Sequence, residues 1–192
     1  VVHQMERPGA PVISGAAIIP LDMRTGSICY GAPEYALICQ ATVDYLRDIG
    51  IPSWTGSGCS DSHTVDSQAA VEAGMNMLMS VLAVTSWTHN LGFLSSGKTG
   101  SIEMLVLCDE LAGMASRIAT GTKVDEEHLA FDVIKRAGKS GSFIAEEHTL
   151  NHVRTEMWMP SLLQRMTLPQ WIESGTKSMQ ERIREKLKSL LG

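Results

Sequence analysis

The sequence has few cysteines, few aromatic residues (5%) and no long apolar run. Its four cysteines, Cys29, Cys39, Cys59 and Cys108, are widely spaced and include no Cys-x-x-Cys pair, so neither a zinc ribbon nor a redox pair is indicated. Irregular spacing in a chain of 192 residues favours a reducing compartment over a disulfide framework, and we expect a cytoplasmic protein. The longest apolar stretch, residues 75–84, falls short of the ~18 residues of a membrane span, so we expect no membrane association.

Positively charged residues do not outnumber negatively charged ones either. The 16 Lys and Arg residues are mixed with 21 Asp and Glu, giving a net charge of -5, which argues against a nucleic-acid partner. Hydrophobic residues make up 44% and charged residues 19%, the composition of an ordinary globular protein. The opening, VVHQMERPGAPV, has no initiator methionine and leads directly into a predicted strand, so we expect the chain to be part of a longer polypeptide.

Strands alternate with helices in the first part of the chain. Each predicted strand is followed by a predicted helix: strands over 11–19, 51–56 and 85–90, and helices over 34–49, 68–84 and 101–119. The first strand is apolar without polar alternation, which is typical of a strand buried on both faces of a parallel sheet. This order predicts an α/β fold.

After residue 121 only helices are predicted, over 125–138, 146–157 and 177–192. We therefore divide the chain into βα units over 1–121 and a helical C-terminal extension over 122–192 that packs on them.

Functional residues in α/β folds follow the carboxyl ends of strands, which here are the segments 20–32, 56–67 and 91–100. The middle segment, GSGCSDSHTVDS, combines small residues with a thiol, a histidine and two carboxylates. Asp66 is placed to cap the following helix. Asp61 either neutralises a cationic ligand or holds a general base, or it braces its own loop. Cys59 is either a nucleophile or a small buried hydrophobe, which is the more common role.

The third strand and the segment after it carry Trp87, His89, Asn90 and Phe93. By alternation, Trp87 and His89 share one face of the strand. Facing a ligand, His89 would handle a proton or orient that ligand, whereas a core histidine would bond to a neighbouring strand.

His148 and His152 lie one turn apart on a predicted helix, a spacing that can hold zinc. The run HTLNH lacks the glutamate of H-E-x-x-H, and no third ligand has motif spacing. We therefore expect hydrogen-bonding roles and no metal, with a metal-dependent hydrolase built on this pair as an alternative.

Four blocks of the sequence resemble the trimethylamine methyltransferase family. They are DMRTGSICYGAPE (22–34), IPSWTGSGCSDSHTVDSQAA (51–70), GKTGSIEMLVLCDELAGM (97–114) and FIAEEHTLNHVRTEMWMPSLLQR (143–165). Their order is kept without large gaps, and the similarity runs from about residue 9 to residue 165.

The resemblance implies a TIM-type (β/α)8 barrel, of which this chain would be the C-terminal portion with a helical tail, its N-terminal half lying outside the chain. Family members move a methyl group from a methylated amine to the cobalt of a corrinoid carried by a separate small protein. The implied partners are that corrinoid protein and the amine, and no cofactor binds this chain directly. We also expect a homo-oligomer. The alternative is a catalytically inactive C-terminal fragment of such an enzyme.

One departure from the family pattern concerns pyrrolysine, which the founding trimethylamine enzymes carry just before a Ser-Asp pair in the segment matching 56–67. This sequence has Cys59 before Ser60 and Asp61, so it is similar to the branch without pyrrolysine, which is associated with quaternary amines such as glycine betaine. A quaternary ammonium cannot donate a hydrogen bond and is recognised by aromatic faces and negative charge.

The candidate site consists of three catalytic and five substrate-binding residues: Cys59, Asp61 and His89, and Tyr30, Trp54, Asn90, Phe93 and Glu103. The alternatives are a place in the barrel core for Trp54 and Trp87, and a helix-dipole role for Glu103.

Overall fold

The computed structural model describes residues 2–15, 17–139 and 141–192. Its helices are α1 Val2–Glu6, α2 Pro33–Asp48, α3 Ser67–Leu82, α4 Ile102–Thr120, α5 Glu126–Leu129, α6 Phe131–Ala137, α7 Glu147–Glu156, α8 Leu168–Glu173 and α9 Met179–Leu191. Its strands are β1 Trp54–Gly56, β2 Trp87–His89, β3 Phe93–Leu94 and β4 Thr99–Gly100. This mixture of helices and small sheets agrees with the predicted α/β class. Within the described ranges, no helix is long and apolar enough to cross a bilayer.

β1 and β2 confirm two of the predicted strands and their parallel pairing. Trp54 lies opposite Trp87, and Gly56 lies opposite His89. The helices that follow them begin at capping residues, as predicted. The carboxylate of Asp66 accepts a hydrogen bond from the backbone N–H of Ala69 at the start of α3. Parallel pairing places the carboxyl ends of both strands at one edge, where their loops meet.

The predicted strand over 11–19 is wrong in its extent. Apart from Ala16, which lies outside the described residues, only Ser14 pairs, through a single parallel bridge to Ser53. That bridge lies on the edge of β1 opposite to β2, because Trp54 N–H donates to Ser14 while Ser53 accepts from Trp87. Val12 and Ile13 are exposed. A strand buried on both faces needs layers on both sides, and in the described part of the chain those layers are missing here.

The segment 91–100, expected as a loop, contains the short antiparallel hairpin of β3 and β4. Its turn places Ser95 and Ser96 in the left-handed region, at φ 53° and 56°. Their N–H groups donate to the carbonyls of Ser62 and Ser60 at 2.8 and 3.1 Å. The hairpin is thereby fastened to the segment 56–67.

The core lies between α3 and α4, and α9 packs across α4. Ala69 and Ala73 of α3 are fully buried against α4, where Met104 and Leu107 are buried in the same cluster. Small side chains on α3 let the backbones of α3 and α4 approach closely. This packing fixes α3 beneath the loops at the strand ends.

The tail beyond residue 121 is helical, as predicted, but divided differently. The expected helix over 125–138 breaks at Ala130, whose φ of 47° is left-handed, into α5 and α6. α8 was not predicted. The tail is held to α4 by Glu110, whose buried carboxylate accepts hydrogen bonds from the backbone N–H groups of Ser161, Leu162 and Leu163.

Candidate functional site

The three loops at the carboxyl ends of the strands meet at Asp61. One carboxylate oxygen accepts from Tyr30 N–H at 2.9 Å and from the Ser96 hydroxyl at 2.8 Å. The other accepts from Gly31 N–H at 2.9 Å. Asp61 therefore braces the loops, which was one of its two predicted roles. In the described residues it has no Lys, Arg or His within ion-pair distance, so its negative charge is uncompensated by a cation.

A second carboxylate, Glu72 of α3, lies beneath the same loop. It accepts from the Ser60 hydroxyl at 2.6 Å and from Asp61 N–H at 2.8 Å. Glu72 was not predicted from the sequence. Glu72 lies on the face of α3 that also carries Ala69 and Ala73, and helical periodicity assigns this face to the core. A charged residue on a core face was the signal in the sequence that could have identified it. Two carboxylates thus hold the same loop, with Asp61 in the loop and Glu72 on the helix that follows it.

Tyr30 is held through its main chain. Its carbonyl accepts from the amide of Asn76, a buried residue of α3, at 2.8 Å. The following residue has to be glycine, because a Cβ at position 31 would overlap the carboxyl group of Glu72. Glu72 cannot move aside without losing its bonds to Ser60 and Asp61.

Two tyrosine rings line the same region. Tyr30 and Tyr35 pack edge to face with their centroids 5.3 Å apart. Burial raises the pKa of both phenols, so both are neutral near pH 7. A Cβ at position 56 would overlap the Tyr35 hydroxyl, and the Asn90 amide lies beside the same point. Gly56 therefore leaves the room in which Tyr35 and Asn90 approach each other.

Cys59 is 1% exposed, and burial together with the nearby charge of Asp61 raises the pKa of its thiol to about 12. A thiolate, not a thiol, is the nucleophile in cysteine chemistry. The structure therefore disfavours the nucleophilic role predicted for Cys59 and supports its alternative, a buried small hydrophobe beside the site.

His89 lies next to the site, with its ring 4.8 Å from that of Trp54. Its Nδ1 is 2.8 Å from the side-chain oxygen of Asn90, whose backbone is left-handed at φ 71°. Trp87, in the outer strand β2, is 59% exposed. In this chain it therefore does not lie in a barrel core, which was the alternative considered for it. Phe93 is partly exposed in β3, and its carbonyl accepts from Ser60 N–H at 3.0 Å.

Glu103 pairs with a residue of the tail, which supports the helix-dipole alternative to its predicted substrate-binding role. It lies in the first turn of α4, and its carboxylate is 3.0 Å from Nε of Arg184 on α9. The helix N-terminus and the guanidinium both stabilise its charge, so it serves the packing of the tail.

His148 and His152 stack with their ring centroids 4.1 Å apart. His148 bonds to the carbonyl of Glu127, and His152 bonds to the carbonyl of His148 and to the carboxylate of Glu127. Among the described residues, no group of three or more His, Cys, Asp or Glu side chains is arranged to hold a metal ion. The geometry gives the hydrolase alternative no support.

Fold and site together define a mixed α/β protein with an acidic, aromatic-lined group of loops at the carboxyl ends of parallel strands. The chain belongs to the trimethylamine methyltransferase (MTTB) family, which it matches over residues 1–192. This confirms the resemblance.

Individual relatives agree with the family. The chain is 35% identical over 178 residues to glycine betaine methyltransferase of Desulfitobacterium hafniense strain Y51, covering 92% of this chain and 37% of the relative. It is 31% identical over 191 residues to trimethylamine methyltransferase MttB of Desulfitobacterium hafniense strain DSM 10664 / DCB-2 and to that of Methanosarcina barkeri, covering 100% of this chain and 38% of each relative. The chain thus spans less than two-fifths of the length of these curated relatives.

Proposed function

We propose that this chain is the C-terminal part of a methyltransferase that takes a methyl group from a methylated amine and transfers it to the cobalt of a corrinoid on a separate protein. The observation that carries the proposal is the family match over all 192 residues, in which the strand-end loops are included. A methylated amine that is cationic fits the carboxylate of Asp61, which lacks a Lys or Arg partner in the described part of the chain.

The proposed substrate is a quaternary amine. Cys59 stands where the founding trimethylamine enzymes carry pyrrolysine, and a quaternary ammonium already has a good leaving group. The half-buried ring of Tyr30 and the ring of Trp54 offer aromatic faces for a cation that cannot donate a hydrogen bond. The relative named glycine betaine methyltransferase supports this choice of substrate class.

The chemistry proposed is an in-line displacement. The corrinoid, as methyl acceptor, supplies a cobalt(I) electron pair that forms the new bond to carbon, while the electrons of the C–N bond stay on nitrogen. The amine leaves as a neutral tertiary amine, so no proton has to be supplied at that step. The residues of this chain bind the cation, orient its methyl group and exclude water, which makes catalysis mainly a matter of positioning.

The rest of the barrel is proposed to come from the part of the polypeptide that precedes these residues in the relatives. The outer edge of β2 has exposed Trp87 beside it, and Val12 and Ile13 are exposed near the bridge at Ser14. Unpaired strand edges and apolar side chains of this kind need covering. Residues 1–192 alone are therefore expected to show no turnover.

The test is a reconstituted reaction. Full-length protein is mixed with its corrinoid partner reduced to cobalt(I), and methylation is followed by the visible absorbance of the corrinoid. We expect methyl transfer from glycine betaine or a related quaternary amine. Turnover of trimethylamine with the quaternary amines untouched would overturn the substrate class, and no transfer from any methylated amine would overturn the function.

A further inference from the structure

We propose that Glu72 and Asn76 are positioning residues that fix the Tyr30 ring at the substrate site. This inference rests on the proposed function. Neither residue is expected to touch the amine. Both act on the main chain of residues 30 and 31, which we call the Tyr30 seat, from one face of α3.

The seat uses every polar main-chain group of Tyr30. Its N–H donates to Asp61 at 2.9 Å, and its carbonyl accepts from Asn76 at 2.8 Å. Gly31 N–H donates to the second oxygen of Asp61 at 2.9 Å, and its Cα side faces the carboxyl group of Glu72 too closely for a Cβ. A loop rich in Gly, Ser and Pro is thereby given one conformation at this point.

Glu72 fixes the other half of the seat. By accepting from Ser60 and from Asp61 N–H, it sets the position of the backbone from which the Asp61 carboxylate extends. Asp61 in turn holds both N–H groups of the seat. Glu72 thus acts twice on the same two residues, once through packing against Gly31 and once through Asp61.

The seat matters because of what the Tyr30 side chain does. The ring is half-buried between Tyr35, 5.3 Å away, and Gly97, at whose position a Cβ would lie 3.4 Å from the ring. Tyr30 belongs to the loops that meet at Asp61, where the proposed cation binds. The attraction between a cation and a ring requires the cation to lie over the ring face within about 6 Å. A ring displaced by loosening of the seat loses that contact.

α3 is a suitable base for such a seat. Ala69 and Ala73 bury it against α4, so Glu72 and Asn76 project from a helix that the core holds still. Functional geometry is set more accurately from packed helices than from loops.

The test compares Glu72→Ala, Glu72→Gln and Asn76→Asp in the full-length protein. Glu72→Gln keeps an oxygen for Ser60 and Asp61 and is the conservative rescue. Asn76→Asp replaces the donor to the Tyr30 carbonyl with an acceptor of the same shape. Gln68→Ala is the matched control, since Gln68 is exposed on α3 and bonds to the other oxygen of Glu72 at 2.8 Å.

Two measurements are made on each variant. Hydrogen exchange of the peptide covering residues 22–34 reports on the seat without any substrate. Steady-state kinetics with glycine betaine give KM and kcat separately. For Glu72→Ala and Asn76→Asp we expect faster exchange and a KM raised roughly ten-fold with kcat within about three-fold, the scale of one lost cation–aromatic contact. Glu72→Gln and Gln68→Ala should resemble the parent protein.

The Asn76→Asp substitution is also made in a protein that carries Tyr30→Leu. If the seat acts through the ring, Asn76→Asp should no longer raise KM once Tyr30 is leucine. Unchanged exchange in both disruptive variants overturns the seat, and faster exchange with an unchanged KM overturns its positioning role. A parent protein with slow exchange in 22–34 but no methyl transfer overturns the proposed function instead.

Discussion

Cys59 illustrates how burial decides what a residue can do. The sequence places a thiol at a position that the family resemblance matches to pyrrolysine, and position alone favours a reactive group. The structure surrounds that thiol with protein, and burial raises its pKa to about 12, so the thiol is protonated near neutral pH.

We therefore predict that Cys59→Ala leaves methyl transfer nearly intact. The expected kcat with glycine betaine stays within about five-fold of the parent value, because positioning and not covalent chemistry supplies the rate. The pH dependence of kcat between pH 6 and 9 should show no ionisation that Cys59→Ala removes. A loss of a hundred-fold or more, or rapid alkylation of Cys59 by iodoacetamide ahead of the less buried Cys29, would show a reactive thiolate.

Asp61 has two roles that one substitution can separate. Asp61→Asn replaces one acceptor oxygen with an NH2 group that faces a donor, which should lower stability by about 1–2 kcal/mol. It also removes the charge, which should weaken binding of a betaine about five-fold more than binding of its neutral carbon analogue. Titration calorimetry with both ligands measures the difference. Equal losses of affinity for the two ligands would show that Asp61 only braces the loops.

Residues whose partners lie close in sequence could be predicted, and others could not. Asp66 was predicted as a cap and confirmed, because a cap bonds to a residue three positions on. Glu72 was missed because its partners belong to the loop before its helix, and the ion pair of Glu103 with Arg184 could not be predicted because the two residues lie far apart in the sequence. Nothing local in a sequence identifies such a distant partner.

At the scale of elements, the long helices were predictable to within a few residues because periodicity indicates α2, α3 and α4 and side-chain caps mark the starts of α3 and α4. The first strand was not, because an apolar run indicates a buried strand only where other layers are present to bury it. The break at Ala130 depends on a left-handed residue that is not glycine, and the sequence gives no sign of it.

Glu110 is the element-scale test of how the tail is attached. Burial alone would raise the pKa of its carboxyl, but hydrogen bonds from Leu163, Leu162 and Ser161 outweigh burial and lower it below the usual 4.5. A carboxyl with a lowered folded pKa stabilises the fold above its unfolded pKa, and that stability is lost as pH falls through the folded value. The attachment of the tail should therefore weaken in acid, as the pH falls below about 4.5 and through the folded pKa.

Glu110→Gln should destabilise the attachment by about 1–3 kcal/mol at pH 7, since an NH2 group would face backbone donors. Denaturant unfolding of the full-length protein at pH 7 and pH 4 measures it. The difference between parent and variant should shrink at the lower pH. Asp109→Asn, one residue away on the same helix, is the control, and an equal effect of both changes would contradict the assignment.

At the scale of the whole molecule, Trp87 tests the proposed completion of the barrel. It is 59% exposed in this chain, and a large exposed side chain normally tolerates replacement within about 0.5 kcal/mol. Covered by further strands in the full-length protein, Trp87→Ser should instead cost about 3 kcal/mol or more. Ile144→Ser, at an 81% exposed residue of the tail, is the comparison. Equal small effects on the free energy of unfolding would contradict a covered β2 edge.

The seat of Tyr30 also bears on how such a protein can evolve. The hydrogen bonds that hold residue 30 use its N–H and its carbonyl, and every amino acid except proline has both. Mutation can therefore exchange the side chain that meets the substrate while the loop keeps its shape. Substitutions at position 30 can therefore change the substrate preference without destabilising the fold, whereas residue 31 has to remain glycine.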